Sequence, residues 1–274
     1  MYESFYHLRE KPFTLLPDPG FLFLSDKHRM ALTLLEYGLM NQAGFTVISG
    51  DIGAGKTTLV RKLLEQAGDA FAVGLVTNTH HNFGELMNWV LMAFDLDGSG
   101  LDPVRQHEIF IDFVIGQYAR GRRTVLIIDE AQNMSVDALE ELRMLSNFQV
   151  GERALLQTFL LGQDEFRPKL QSAGMEQFRQ RIIASYHLDP LNRKEVQDYI
   201  YHRLRLCGWQ DNPHFHSDVF ERIYEYTSGV PRRINKLCDR VLLHGCIEEL
   251  GEISVQDVNS VIDDEMQEMH ATGN

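Results

Sequence analysis

One stretch of the sequence, GDIGAGKT at residues 50–57, restricts the fold more than any other. It fits the pattern G-x-x-x-x-G-K-[ST], which arises by chance in about one chain per hundred of this length at ordinary residue usage. An apolar run, FTVISG, precedes it, and a helical run, TTLVRKLLEQ, follows it. Because this pattern requires a strand before it and a helix after it, the stretch predicts a phosphate-binding loop within an α/β domain.

The residue types in this loop suit a polyphosphate. Glycines allow the backbone to curl so that its N–H groups point inward, and the start of the next helix adds its dipole. Lys56 is expected to reach the β- and γ-phosphates of ATP, and Thr57 to offer its hydroxyl to Mg²⁺. The predicted nucleotide-binding residues of the loop are Gly50, Asp51, Ile52, Gly53, Ala54, Gly55, Lys56, Thr57 and Thr58.

Apolar runs before residue 190 indicate the strands of a parallel sheet. Each run is nearly continuous, as expected when both faces of a sheet are covered. Helical patterns lie between the runs, which is typical of βαβ units. We therefore predict the α/β fold of a P-loop NTPase, with strands at residues 45–50, 71–77, 124–129 and 155–162.

The later part of the chain has a helical pattern. Asn192 and Glu195 have capping-box spacing, Ser217 is in position to cap the next helix, and Pro231 suits the first position of a third. The sequence therefore predicts two domains. They are an α/β domain over residues 1–190, which includes the N-terminal segment, and a small all-helical domain over residues 191–274.

A second acidic motif, TVLIIDEAQNM, places Asp129 at the end of an apolar strand. In a P-loop enzyme a carboxylate at that position can hold Mg²⁺ through a water molecule. Glu130 follows directly, and a glutamate there can activate the attacking water as a general base. The pair therefore predicts hydrolysis of the nucleotide as well as binding, with Thr57 and Asp129 as the metal site.

Composition narrows the class of protein. The formal net charge of −13 argues against a broad nucleic-acid-binding face. The charged N-terminus does not resemble a signal peptide, and the chain lacks the run of about 18 apolar residues that a membrane helix needs. We therefore expect a soluble, cytoplasmic chain. Cys207, Cys238 and Cys246 fit no zinc spacing and are expected to be reduced thiols buried in helices.

The motifs together resemble a known family. The loop and the strand LIIDEAQ look like those of an AAA+ ATPase, and the N-terminal run is similar to the start of ExeA/GspA-type ATPases. Two later stretches, LDPLNRKEVQDYIYHRLRLCG and SGVPRRINKLCDRVLL, also match. The N-terminal positions that fit the family pattern are Phe5, Leu8, Pro12, Phe13, Pro17, Asp18, Pro19, Ser25, His28 and Ala31.

This resemblance implies an AAA+ core followed by a helical lid, with Mg-ATP bound between them. Arg232, in the stretch GVPR, matches the lid arginine called sensor 2, which would touch the γ-phosphate. The run MEQFRQRIIASYHL is similar to the segment that carries an arginine finger acting on a neighbouring subunit. Arg181 is the first candidate for the finger and Arg179 the second. The family also places a small polar sensor after the fourth strand, where Gln163 stands, and Asn147 is the weaker competitor.

Family members serve bacterial envelope machinery: type II secretion, pilus biogenesis or exopolysaccharide export. The resemblance implies an oligomeric assembly or remodelling ATPase with a membrane-protein partner, which would hold it peripherally at the inner membrane. Longer members carry a membrane helix and a peptidoglycan-binding domain, so this chain is either a short member or a fragment.

Two alternatives stay open for the function. One is a DNA-dependent ATPase such as a transposition helper, although the acidic charge makes nucleic acid an unexpected partner. The other is a slow switch whose ATP state gates a partner. His80 and His81 are adjacent in sequence, but they lack further ligands at a recognisable spacing and are not expected to bind a metal.

Overall fold

The computed structural model describes residues 1–41, 44–77, 86–151 and 153–271, and these form two compact units. In chain order the helices are α1 (Tyr2–Phe5), α2 (Asp26–Asn41), α3 (Lys56–Ala67), α4 (Leu86–Ala93), α5 (Pro103–Ala119), α6 (Val136–Leu145), α7 (Phe166–Gln171), α8 (Glu176–Arg179), α9 (Arg193–Leu206), α10 (Val219–Thr227), α11 (Pro231–Ile247) and α12 (Val255–Ala271). The strands are β1 (Phe45–Gly50), β2 (Phe71–Val76), β3 (Arg123–Ile128), β4 (Gln149–Val150), β5 (Arg153–Ala154), β6 (Leu156–Gly162), β7 (Ile182–Leu188), β8 (His214–Phe215) and β9 (Glu252–Ile253).

The first unit, residues 26–51 and 56–188, is built on a parallel sheet with the strand order β2–β3–β6–β1–β7. Every residue of β1 and β6 is buried, because helices cover both faces of the sheet. The four predicted strands agree with β1, β2, β3 and β6 to within one residue at each end. The predicted α/β fold with a parallel sheet is therefore confirmed.

The strand order decides which loops become neighbours. Strand β6 lies between β1 and β3, and all three run in the same direction. The phosphate loop follows β1, the acidic motif follows β3, and Gln163 follows β6. Since the carboxyl ends of parallel strands meet at one edge of the sheet, the three predicted site segments come together there.

Strand β7 was not predicted. It pairs with β1 at the edge of the sheet, where Ser49 lies opposite His187. Only Ala184 and Leu188 of this strand are buried, and the polar residues Ser185, Tyr186 and His187 interrupt the apolar pattern. An edge strand needs less apolar sequence than a central one because one of its sides has no neighbouring strand. The apolar-run criterion therefore missed it.

The second unit contains the helices α9 to α12 and a short parallel pair between β8 and β9. Asn192 and Glu195 form the predicted capping box at the start of α9, and Pro231 is the first residue of α11, as predicted. Helix α10 instead begins at Val219 without a side-chain cap, so the prediction for Ser217 was wrong. Because β8 and β9 are present, the unit is mainly helical rather than all-helical.

The N-terminal segment packs with the helical unit, which corrects the predicted division at residues 1–190. Arg9 Nη2 donates to the carbonyl of Leu206 at 2.8 Å, and Asn235 Nδ2 donates to that of Thr14 at 3.0 Å. Residues 1–25 contain no strand that could join the sheet, and they bury aromatic side chains against the helices instead. The buried aromatic residues of this segment are Tyr2, Tyr6, Phe13 and Phe21.

The three cysteines lie in the helical unit as free thiols. Cys207 and Cys238 are buried, and Cys246 is half-buried. Burial raises the pKa of the Cys207 thiol to about 11, which keeps it protonated near neutral pH. The prediction of reduced structural thiols is therefore confirmed for Cys207 and Cys238. Among the helices that the structure describes, none combines the length and apolar character needed to cross a membrane.

Candidate functional site

The loop after β1 has the backbone geometry that a phosphate cradle requires. Gly50, Gly53 and Gly55 have φ values of 151°, 81° and 97°, which residues with a Cβ rarely adopt. A Cβ added at Gly50 would also lie 2.4 Å from the carbonyl oxygen of Leu188. The sequence pattern therefore reflects both conformation and close packing at this turn.

Lys56 begins helix α3 and turns its side chain back over the loop. Its Nζ donates to the carbonyls of Gly50 and Asp51 at 2.7 and 2.9 Å, and only 8% of the residue is exposed. Burial lowers the pKa of the Lys56 ammonium, while the nearby carboxylates of Asp129 and Glu130 act in the opposite direction. The structure thus holds the Lys56 ammonium against the loop, where a phosphate would bind.

Thr57 and Asp129 lie side by side although 72 positions separate them in sequence. The Thr57 hydroxyl donates to Asp129 Oδ2 at 2.6 Å. The amide N–H of Asp129 donates to the carbonyl of Val76 at 2.8 Å, which fixes the residue just beyond β3. A hydroxyl and a carboxylate are the hard oxygen ligands that Mg²⁺ prefers, so the pair fits the metal that the loop implies.

Glu130 has a strained backbone and a fixed side chain. Its φ of 53° lies in the left-handed region, which costs a residue other than glycine about 1–3 kcal/mol. Its Oε2 accepts from Gln163 Nε2 at 2.8 Å and from Gln132 Nε2 at 2.5 Å. The backbone N–H of Gln163 also donates to Gln132 Oε1 at 3.0 Å. The two carboxamides therefore hold the carboxylate in one orientation.

Gln132 is a site residue that the sequence analysis missed. It lies two positions after Glu130 in the short 3₁₀ helix Ala131–Asn133. Lys169 Nζ donates to the backbone carbonyls of Gln132 and Met134, which ties this turn to helix α7. The available signal was an amide two residues after the acidic pair, where a tight turn can bring the side chain back.

The two candidates for the polar sensor have different surroundings. Gln163 contacts Glu130, as described above, whereas Asn147 Oδ1 accepts a hydrogen bond from Arg181. Gln163 also lies directly beyond β6, between the phosphate loop and the acidic motif. The contacts therefore favour Gln163 over Asn147 as the residue that acts with Glu130.

Both finger candidates are bonded within their own unit. Arg181 Nη1 donates to Ser146 Oγ at 3.2 Å, and Nη2 contacts Asn147. Arg179 Nη1 donates to the carbonyl of Leu170 at 2.7 Å, and Nη2 lies 3.5 Å from Glu176. Neither arginine is brought to Glu130 in this chain, so a catalytic role for either depends on a second subunit.

Residues 52–55 of the loop group with the helical unit, which also contains α11. Arg232 is the second residue of α11, and it lies against Gly53. A Cβ added at Gly53 would stand 2.2 Å from the Cβ of Arg232. Glycine at the middle of the loop therefore leaves space for this arginine. Its assignment as sensor 2 stays a prediction.

A polar cluster that sequence reasoning did not predict adjoins the loop. His187 Nδ1 lies 3.1 Å from Ser49 Oγ and 3.5 Å from Asp164 Oδ1. Ser49 immediately precedes Gly50, so the cluster supports the base of the loop from the β7 side. His80 and His81, by contrast, lie outside the described residues.

Two comparisons with known sequences found similar proteins. Residues 39–170 match the AAA domain family. The chain is 35% identical over 246 residues to general secretion pathway protein A of Aeromonas hydrophila, which covers 89% of this chain and 44% of that protein. The chain thus spans less than half the length of this relative.

Solved structures of low identity share the fold. The ORC2 protein of Aeropyrum pernix, in its ADPNP-ADP complexes, has a TM-score of 0.66 at 16% identity over 87% of this chain and 66% of its own. The Drosophila ORC bound to DNA has a TM-score of 0.68 at 15% identity over 94% of this chain and 65% of its own. At such identities the likeness shows the fold alone.

The phosphate loop, the acidic motif and the match over residues 39–170 give this part of the chain the features of an AAA domain. Within that class the chain is similar to general secretion pathway protein A, in agreement with the ExeA/GspA-type resemblance of its motifs. The resemblance that the N-terminal run and the two later stretches indicated is therefore confirmed.

Proposed function

We propose that this chain binds Mg-ATP at the loop after β1 and hydrolyses it to ADP and phosphate. The observation that carries the proposal is the convergence of Lys56, the Thr57–Asp129 pair and Glu130 at one edge of the sheet. These groups supply a cation for phosphate, ligands for a divalent metal, and a carboxylate that can take a proton. Phosphoryl transfer needs all three.

Each residue has a distinct part in the proposed reaction. Lys56 and the loop N–H groups bind the phosphates and orient them. Thr57 and Asp129 would hold Mg²⁺, which would neutralise negative charge on the phosphate oxygens. Glu130 accepts a proton from water as the water oxygen bonds to the γ-phosphorus, and the bond from that phosphorus to the ADP oxygen breaks. Gln163 and Gln132 position the Glu130 carboxylate and its water.

Two arginines would complete the site. Arg232 is proposed to contact the γ-phosphate as sensor 2, and Arg181, or else Arg179, to act as a finger on the ATP of a neighbouring subunit. A finger in trans makes turnover depend on assembly, and it can change the rate by about 10³–10⁵. The proposal therefore includes a homo-oligomer as the active form.

The relationship to general secretion pathway protein A supports work in a bacterial cell-envelope system. We propose an assembly or remodelling ATPase for secretion, pilus or exopolysaccharide machinery, held at the inner membrane through a membrane-protein partner. The chain spans 44% of that relative, so partner and task are part of the proposal. A turnover number measured with and without the partner separates a motor from a slow switch.

Nucleotide binding by variants of one helix tests the phosphate site. Lys56→Ala should bind Mg-ATP at least about tenfold more weakly than the parent, since it loses a charge-assisted contact to phosphate. Lys62→Ala, two turns along the same helix and partly exposed, is the matched control and should bind like the parent. Equal affinity of Lys56→Ala and the parent would contradict the assignment of the loop.

Duplex DNA provides the test of the main alternative. ATP turnover measured with and without duplex DNA, at two salt concentrations, should be nearly the same in all four conditions. The net charge of −13 supports this expectation. A large stimulation by DNA that fades at the higher salt concentration would favour a DNA-dependent ATPase instead.

A further inference from the structure

One lysine holds the turn that follows the acidic pair. Lys169 lies in helix α7, and its Nζ donates to the backbone carbonyl of Gln132 and, at 2.8 Å, to that of Met134. Within the turn, the N–H of Asn133 donates to the carbonyl of Glu130 at 2.9 Å. This backbone bond closes the start of the turn, and the Lys169 ammonium binds two carbonyls at its end.

The ammonium of Lys169 is used on backbone carbonyls and not on a carboxylate. The side chain is half-buried, and it forms no ion pair with any residue in the described part of the chain. Burial lowers the pKa of the Lys169 ammonium. A cation that loses part of its hydration must recover the cost through other contacts. At Lys169 these contacts are the charge-assisted hydrogen bonds to the turn.

The turn decides where the carboxamide of Gln132 stands. Its Nε2 donates to Glu130 Oε2 at 2.5 Å, and its Oε1 accepts from the backbone N–H of Gln163 at 3.0 Å. Both bonds require the Gln132 side chain to return over the acidic pair. The left-handed backbone of Glu130 belongs to the same turn, and such a conformation persists only where its surroundings fix it. Lys169 supplies that support from a separate helix.

We propose that Lys169 is a positioning residue for ATP hydrolysis, and that it acts through Gln132. The ammonium holds the backbone of the turn, the turn places the carboxamide of Gln132, and that carboxamide orients the Glu130 carboxylate. No contact with the nucleotide or the metal is assigned to Lys169. The inference rests on the proposed hydrolysis and deepens it, because it places a determinant of the base on α7, a helix that carries none of the residues assigned to the reaction.

ATP turnover by variants of α7 tests this role in the full chain, at a concentration where the variants sediment like the parent. Lys169→Met has a side chain of similar length without donors. It should lower kcat by about tenfold or more while KM for ATP changes by less than about twofold. Lys169→Arg keeps donors and should restore kcat to within about threefold of the parent. Arg167→Met removes an exposed cation of the same helix and should behave like the parent.

A double-mutant cycle shows whether Lys169 acts through Gln132. In a Gln132→Ala background, Lys169→Met should change kcat by less than about twofold, because the side chain that the turn places is already absent. Equal losses of kcat in the two backgrounds would overturn the inference. So would a parental kcat for Lys169→Met, or a rise in KM with kcat unchanged.

Hydrogen exchange provides a readout that does not depend on turnover. Because the N–H of Gln163 donates to Gln132 Oε1, Lys169→Met should speed exchange at this amide by about fivefold or more. Arg167→Met should leave it unchanged. Unchanged exchange in Lys169→Met would mean that the turn keeps its place without the lysine, and it would overturn the inference. A parent that does not hydrolyse ATP would overturn the proposed function as well, whereas parental turnover by Lys169→Met overturns this inference alone.

Discussion

At the scale of single residues, the candidate site depends on how Glu130 is held. A carboxylate can act as a general base only when its oxygen points at the water that it must deprotonate. Here two carboxamides from different segments meet at the same oxygen, Oε2, and one of them also accepts a bond from the backbone of the other. This arrangement fixes the Glu130 side chain.

Gln132→Ala tests this positioning role. Loss of one hydrogen bond to a charged group should lower kcat by about 10- to 100-fold while KM for ATP changes little. Asn133→Ala removes a neighbouring amide from the same turn and should keep parental turnover. If Gln132→Ala raises KM and leaves kcat unchanged, Gln132 contributes to nucleotide binding rather than to the base.

The sequence predicted part of this site and missed the rest for a physical reason. Lys56, Thr57, Asp129 and Glu130 stand in local patterns whose spacing is fixed by the loop and the strand end. Gln132 acts through a turn that returns its side chain onto Glu130, and the pairing of Ser49 with His187 depends on the register of β1 and β7. Such contacts become visible only once turn geometry and strand pairing are known.

At the scale of elements, a glycine sets the turn between α10 and α11. Gly229 has a φ of 72°, and its carbonyl accepts a hydrogen bond from the N–H of Leu191 at 3.0 Å. A Cβ on Gly229 would lie 1.9 Å from the carbonyl oxygen of Leu191. The turn before α11 therefore tolerates only glycine, and it anchors the start of the helical segment to the end of α10.

Gly229→Ala should lower the free energy of unfolding by at least about 2 kcal/mol, since it combines a left-handed backbone with a backbone clash. Gly116→Ala is the control, because Gly116 is inside helix α5 with open space around it. That change should raise stability by about 0.5–1 kcal/mol. Urea unfolding measures both, and a Gly229→Ala variant as stable as the parent would contradict this account of the turn.

Helix and strand predictions succeeded where the signal was local. The capping box of Asn192 and Glu195 and the initial Pro231 of α11 satisfy orphan backbone groups within one turn, and both are present. Ser217 failed as a cap because helix α10 begins two residues later. Strand β7 was not predicted because a strand at the edge of a sheet does not need a continuous apolar run. The apolar pattern alone therefore did not predict a strand whose place depends on its pairing with β1.

At the scale of the whole molecule, the main correction concerns the N-terminal segment. Its family motif suggested a place in the α/β domain, but Tyr2, Tyr6, Phe13 and Phe21 complete the core of the helical unit. No periodic pattern in residues 1–25 could indicate which unit they join, since their contacts lie about 200 positions away in sequence. The N-terminal family motif therefore packs against the helical unit, although that unit is formed mainly by the C-terminal part of the chain.

Assembly is the property of the whole molecule that the finger hypothesis predicts. The turnover per subunit of the parent should rise with protein concentration. Arg181→Ala should not show this rise, so at full assembly its turnover should be about 10³-fold below that of the parent. Arg179→Ala is the matched variant and should retain it. Sedimentation at the same concentrations shows whether each variant assembles. If both variants assemble and keep the concentration-dependent rate, neither arginine is a finger.

In the proposed reaction, Glu130 activates water at a Mg-ATP site in this chain. Phosphate release from saturating Mg-ATP by the parent and by Glu130→Gln tests it most directly, with ATP binding measured for both proteins. Glu108→Gln, an exposed glutamate of α5, serves as the control. Glu130→Gln should bind ATP like the parent, and it alone should lose turnover, by about 10²–10⁴-fold. Hydrolysis by Glu130→Gln at the parental rate would contradict it.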